Sequence, residues 1–225
     1  MNTILKTKVK HLAVIMDGNR RWAKTHGLPS LEGHRAGVKA LKNLVKLCPA
    51  YGIEYLTVYA FSTENWKRES NELDFLFKLL GEVAVRELNN LHQENVQVSF
   101  IGDIEAFSDI GIKSNLEKLA NTTRENTGLK LQIALNYGSL DELSRALKQI
   151  KHCLTSEEIN NLTEETFSQY LYTKDIPDPE LIIRTGGEAR LSNYLLWQGA
   201  NSRLAFIESM WPDFSEEDLK RVLYG

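Results

Sequence analysis

Three short segments carry residue types that could handle a phosphorylated substrate. The first, Asp17-Gly18-Asn19-Arg20-Arg21-Trp22, directly follows an apolar run. An acid at a strand end, then a glycine and amide donors at a turn or helix start, suits a phosphate with its metal ion. The acid would hold Mg2+, while backbone N–H groups and Arg21 take the phosphate oxygens. The second segment is Phe61-Ser62-Thr63-Glu64-Asn65-Trp66-Lys67-Arg68. Hydroxyls, an amide, a ring and two cations packed beyond another apolar run are costly unless something satisfies them. The third is Arg184-Thr185-Gly186-Gly187-Glu188, followed by Arg190-Leu191-Ser192. Its glycines let backbone approach a ligand closely, and its arginines suit bidentate phosphate binding. Gly33-His34-Arg35-Ala36-Gly37 reads as the opening of a helix, whose positive end adds a further donor cluster. Each has a bland alternative, a capped turn, a solvated acid or a structural histidine. Their convergence on phosphate chemistry lifts them above it.

These segments need a frame. Apolar runs at 11–16, 55–61, 96–101, 129–135, 181–183 and 204–207 read as buried parallel strands. Amphipathic runs at 35–47, 72–91, 110–123, 140–150, 164–171 and 216–223 read as helices, with Ser70-Asn71, Ser139 and Ser215 as caps. The alternation predicts a single α/β domain built on an open, mainly parallel six-stranded sheet flanked by helices. Ligands in such sheets sit beyond the carboxyl ends of the strands, where the three segments fall. The 72–91 helix has an apolar face wider than a simple stripe, because Phe75, Leu79, Val83 and Val85 join Leu73, Leu76, Phe77, Leu80, Ala84, Leu88 and Leu91. The plain reading is a well-buried helix. The functional one is that part of this face lines an apolar cavity for a long hydrocarbon, each buried CH2 contributing about 0.8 kcal/mol.

Composition narrows the function classes. The 225 residues include 27 Lys plus Arg against 30 Asp plus Glu, a net charge of −3. With a pI near 6.0, the chain has no nucleic-acid footprint. No apolar run approaches the length of a membrane span and no signal-peptide core is present, so a cytoplasmic protein, at most peripheral to a membrane, is expected. Cys48 and Cys153 lack a second ligand at zinc spacing and read as buried free thiols. A polar run at 154–166 is the one candidate boundary, and it also reads as helix caps.

The segments 11–24, 33–37, 59–68, 136–138, 183–198 and 211–214 together resemble the bacterial undecaprenyl diphosphate synthases, a family of cis-prenyltransferases, in the same order and spacing. The resemblance implies a homodimeric α/β enzyme with an apolar product tunnel. It would use Mg2+ to extend farnesyl diphosphate with isopentenyl diphosphate units, releasing product toward the membrane by transient contact. It implies that Asp17 is the essential Mg2+-binding acid. Gly18, Asn19, Arg20, Arg21 and His34 would form the allylic diphosphate pocket, with Trp22 beside it. Ser62 and Asn65 would help remove the proton, and Thr63, Glu64, Trp66 and Arg68 complete that loop. Arg184, Arg190, Leu191 and Ser192 match the isopentenyl diphosphate clamp, and Leu129 the far end of the tunnel. A neutral Asn is a poor base, so the diphosphate itself is a candidate proton acceptor.

The sequence departs from the family pattern in three places. Ser30 stands where an arginine touching the allylic diphosphate is common. Arg203 stands where a glutamate that helps hold Mg2+ is usual, and arginine has no lone pair for a metal. Either substrate diphosphates and water complete the shell, or Glu208 partly substitutes. The chain ends at Tyr224-Gly225 without the family's frequent basic tail. Two other classes compete. An inactive accessory subunit of the same fold would lack Asp17 and Asn65, which are present. A haloacid-dehalogenase-type phosphohydrolase wants a second acid where Asn19 stands.

Overall fold

The computed structural model describes residues 9–225. Six strands, β1 His11–Ile15, β2 Tyr55–Ser62, β3 Gln97–Ile101, β4 Lys130–Tyr137, β5 Leu181–Arg184 and β6 Arg203–Phe206, form one sheet in the order β3-β4-β2-β1-β5-β6. Every pairing is parallel. From β1 the sheet extends one way through β2, β4 and β3 and the other way through β5 and β6. The carboxyl end of β1 therefore lies where connections diverge, the place such sheets leave open for ligands.

Parity explains the two faces. Leu12, Val14, Leu56, Val58, Val98, Leu131, Leu181 and Ile183 point into the main core. Helices α2 (Ser30–Leu47), α3 (Ser70–Gln93), α4 (Lys113–Thr123) and α8 (Glu216–Tyr224) lie over it. Alternate residues Ala13, Ile15, Ile101, Ala134 and Ile182 meet Tyr137, Tyr194 and Leu195 on the other face. That face is closed mainly by an irregular segment, while α5 (Ser139–Cys153) and α7 (Glu164–Ser168) form a satellite core with Trp197 packed against it. The polar run at 154–166 is the short helix α6 (Ser156–Asn160) and the start of α7, each opened by a capping box, at Thr155 and Thr163.

Four expectations change. Helix α2 starts at Ser30, five residues early, because Pro29 (φ −56°, ψ 143°) launches it. Gly33–Gly37 thus lie inside the helix, and the N–H groups from His34 onward are committed to it, so this segment is no anion-binding end. Strand β6 is an edge rather than a buried strand: Leu204 and Phe206 are 43% and 40% exposed. Ser139 does not cap α5 by a side-chain bond. Its buried Oγ accepts from Leu196 N (2.8 Å) instead. Finally, Cys48 is buried but Cys153, the last residue of α5, is exposed. Burial pushes the Cys48 thiol up to about 12. Helix α3 is half-buried: Phe77 and Ala84 enter the core, Val85 is 59% exposed, and Glu87 turns inward to Lys42 (2.9 Å).

At the amino end of the sheet, His11 is buried. Its Nδ1 donates to Pro177 O (2.6 Å), Thr57 Oγ1 lies 2.8 Å from Nε2, and the Tyr55 ring and the Glu180 carboxylate flank it. Burial lowers its pKa, outweighing the Pro177 carbonyl and Glu180, which raise it. Between that lowered value and the ordinary 6.5, the unfolded chain binds a proton that the native state does not. Stability should therefore fall as pH drops through this window, by up to about 1.4 kcal/mol per pH unit. Urea unfolding of His11→Gln across pH 5–7.5 should show a flatter dependence than the parent; an unchanged slope would exclude His11 as its source.

Candidate active site

The three sequence segments meet at the carboxyl ends of β1, β2 and β5. Asp17 leaves β1 and is fixed through its backbone: its N–H donates to Thr185 Oγ1 (3.0 Å), whose hydroxyl donates to Asp17 O (2.6 Å). Both carboxylate oxygens face guanidinium groups. Oδ1 is 3.1 Å from Arg21 Nη2, and Oδ2 accepts from Arg184 Nη2 (2.9 Å). The Arg184 side chain is only 5% exposed, and its Nη1 also donates to Ser192 Oγ and Arg190 O, each at 2.6 Å. Arg21 comes from α1 (Asn19–Thr25), a helix the sequence reading marked only as a start, and its Nη1 donates to Gly186 O (2.6 Å). Gly186 has φ +84°, and a Cβ there would sit 2.6 Å from Arg21 Nη2, so a side chain at this turn would push out the guanidinium.

Two contiguous cavities share Asp17, Asn19, His34 and Arg68 as a common wall. The first, about 780 Å3, also reaches Gly18, Arg20, Arg21, Lys24 and Ser30. The second, about 670 Å3, reaches Tyr59, Ser62, Glu64 and Asn65 on one side and Arg184, Arg190 and Ser192 on the other. A register shift around Ala60 in the β2–β4 pairing turns the strand end so that Ser62 follows the bulge into this cavity. Ser62 then opens a 3-10 turn, and its N–H donates to Asn65 Oδ1 (3.1 Å). A backbone N–H needs an acceptor, which fixes the Asn65 amide and leaves its NH2 free to donate.

Four expected residues stand elsewhere. Trp22 stacks on His26 and donates to Asp213 (2.7 Å). Thr63 donates to Asp141 (3.1 Å). Trp66 packs among Phe61, Phe77 and Phe107 and donates to Asn136 (2.8 Å), and Leu191 packs on the second sheet face. They support the site without lining either cavity. Leu129 is buried in the main core at the opposite end of β4, and Leu131 and Ile133 of that strand line a third cavity of about 250 Å3 between α2 and α3.

Sequence reasoning missed Glu72. Its carboxylate accepts from Arg68 Nη1 (2.9 Å) and lies 3.6 Å from Arg20 Nη1 and 3.5 Å from His34 Nε2. The Arg68–Glu72 spacing of four was the available signal. The last distance is ionic reach rather than a hydrogen bond, and His34 Nε2 is buried without a hydrogen-bond partner. Burial first, then Arg68, lowers the His34 pKa against the opposing pull of Glu72, which favours the neutral ring.

The donor set suits a hard cation. Asp17 supplies a carboxylate in the wall of both cavities, whereas Asn19 Oδ1, buried and without a hydrogen-bond partner among the described residues, packs against Gly37 of α2. Mg2+ is commonly held by one or two carboxylates plus substrate phosphates, so the Asp17 carboxylate fits the protein's share of such a shell. Among the described residues no group of three acidic, His or Cys side chains forms a complete cage. Arg203 opens β6 at the other end of the sheet and donates to Val222 O (2.7 Å). Glu208, by contrast, follows β6 at the site's end, and a Cβ on Gly187 would lie 2.7 Å from its Oε2.

Close approach of α1 to α2 holds Asn19 in place. A Cβ on Gly33 would overlap Asn19 O, so Gly33→Ala must separate the helices. It is expected to cost about 1–3 kcal/mol by overpacking, read as a lowered urea midpoint. An unchanged midpoint would mean that α1 yields freely.

Comparison with known proteins agrees with this geometry. The undecaprenyl diphosphate synthase family model matches residues 15–225. An isoprenyl transferase of Clostridium perfringens is 48% identical over 96% of this chain and 85% of its own length. A farnesyl-diphosphate-specific ditrans,polycis-undecaprenyl-diphosphate synthase of Micrococcus luteus is 44% identical over 95% of this chain and 86% of its own. The crystal structure of lavandulyl diphosphate synthase from Lavandula x intermedia, in complex with dimethylallyl diphosphate, superposes with a TM-score of 0.89 at 31% identity, covering 96% of this chain and 94% of that one. With the matched segment spanning all three strand-end motifs and most of the fold, the chain belongs to the undecaprenyl diphosphate synthase family of cis-prenyltransferases.

Proposed function

We propose that this chain, as one cis-prenyltransferase domain, condenses isopentenyl diphosphate units in cis onto farnesyl diphosphate to make undecaprenyl diphosphate, the lipid-carrier precursor for bacterial cell-wall synthesis. The observation that carries this reading is the pair of contiguous cavities with Asp17 in their common wall, each lined by cations. In the first, Arg20, Arg21, Arg68 and His34 would hold the allylic diphosphate. In the second, Arg184, Arg190 and Ser192 would hold the isopentenyl diphosphate. Asp17 would hold Mg2+, which when bound supplies positive charge against the departing diphosphate.

The protein's own part is positioning and electrostatics. His34 can orient a phosphate by hydrogen bonding. Asn65 presents an amide NH2, a donor, so it steers the incoming diphosphate and takes no proton; the proton would leave on a diphosphate oxygen. The α2–α3 cavity, walled by Leu41, Val83, Leu131 and Ile133, would take the growing hydrocarbon as part of the product tunnel. Glu208 is the candidate second acid toward the metal. Glu208→Gln should raise the Mg2+ concentration for half-maximal activity severalfold, and an unchanged requirement would remove it.

The unpaired β6 edge with exposed Leu204 and Phe206 supports a homodimer. Among the described residues no helix is long and apolar enough to cross a membrane. Product release would then rest on peripheral contact from the cytoplasmic side. The test is incorporation of radiolabelled isopentenyl diphosphate with farnesyl diphosphate and Mg2+, resolved by chain length. A butanol-extractable product near undecaprenyl length supports the reading; a shorter one keeps the chemistry and overturns the length; none overturns the activity.

A further inference from the structure

We infer that Asn193 is a positioning residue that sets the width of the second cavity by tying its two walls together. The inference rests on the functional reading above for the identity of the ligand, and on geometry for the rest. Asn193 follows Ser192, whose Oγ accepts from Arg184, so it sits on the clamp wall. Its Nδ2 crosses to the opposite wall and donates to Glu64 Oε1 (3.0 Å), one residue before Asn65. Its two acceptors are committed to a third element: Oδ1 accepts from Leu140 N (2.9 Å) and its carbonyl from Ser139 N (2.8 Å), both at the start of α5. Glu64, expected to bind substrate, is thereby engaged as a bridge. Burial pushes its carboxyl up, but the hydrogen bonds from Asn193, its own backbone, Ser62 and Thr63 outweigh this and lower it.

The backbone reinforces the assignment. Ser192, Asn193 and Leu195 have φ of +50°, +61° and +44°. Left-handed non-glycine residues are unfavourable, and a cluster of them persists where surrounding bonds fix it, commonly at ligand sites. Asparagine tolerates this conformation best among residues that also carry both a donor and an acceptor.

The bridge can be inverted. Asn193→Asp keeps the acceptor for Leu140 N but sets a carboxylate against Glu64. Adding Glu64→Gln returns a donor, so the pair is rebuilt with its polarity exchanged. Binding of isopentenyl diphosphate and of inorganic pyrophosphate is measured by calorimetry, alongside KM for each substrate, kcat and Tm. Asn193→Asp should weaken isopentenyl diphosphate binding about tenfold while KM for the allylic substrate changes less than twofold. The double variant should recover most of that loss, and Asn193→Gly, which relieves the backbone, should not. Equal effects on both substrates, or no recovery in the double variant, would overturn the inference. If the parent binds pyrophosphate with this swap-dependent affinity yet incorporates no isopentenyl units, the functional reading fails and the bridge stands.

Discussion

Asp17→Ala should lower isopentenyl incorporation by about 10³-fold or more, because among the described residues it is the one acid that lines both cavities, where it pairs with Arg21 and Arg184 and is the candidate metal ligand. It should also cost stability. Arg184 is almost fully buried, its Nε already lacks a partner, and losing Asp17 leaves its Nη2 without the carboxylate. Removing one partner of such a pair is unfavourable by about 1–3 kcal/mol. Asp17→Asn separates the effects: an amide oxygen still accepts from Arg184, so stability should largely return while activity does not. Metal-free urea unfolding beside the incorporation assay reads both. Activity in Asp17→Asn above about a tenth of the parent would sink the assignment of Asp17 as the essential acid.

Arg184→Ala should act differently. The clamp loses its central cation, and Ser192 Oγ and Arg190 O lose their donor, while Asp17 keeps Arg21. A hydrogen bond to a charged group contributes about 1.5–3 kcal/mol, so affinity for isopentenyl diphosphate should fall roughly 10- to 150-fold. The allylic substrate, assigned to the first cavity in the proposed reading, should be affected far less. Steady-state KM for each substrate, varied at saturation of the other, distinguishes this from general damage. An equal rise in both would argue that Arg184 serves the fold through Asp17 and not the second ligand.

The sheet was legible because its strands are consecutive apolar residues, a pattern that burial on both faces produces. Strand β6 misleads for the same reason: Leu204 and Phe206 read as core, but sequence alone does not say which strand ends a sheet. The start of α2 was missed because Pro29 acts as a launch point whose meaning depends on φ and ψ, whereas Gly33–Gly37 reads as a helix opening. The strand-end segments were legible because acids, arginines and glycines there are hard to explain otherwise. Asn193 was not, since it acts through Glu64, far away in the chain; Glu72 showed only its spacing of four from Arg68, and its approach to His34 is likewise non-local. Trp22 and Trp66, prominent in the motifs, serve to brace neighbouring loops.

The two cysteines differ in a way that gives the protein a built-in chemical clock. A thiolate is the reactive form, and Cys48 is sealed in the core with its thiol pushed to about 12. Cys153 stands exposed at the end of α5. A maleimide at neutral pH should thus attach once to each folded chain and twice only to chains that have opened. Intact mass after a short pulse then counts native and unfolded molecules directly, peak by peak.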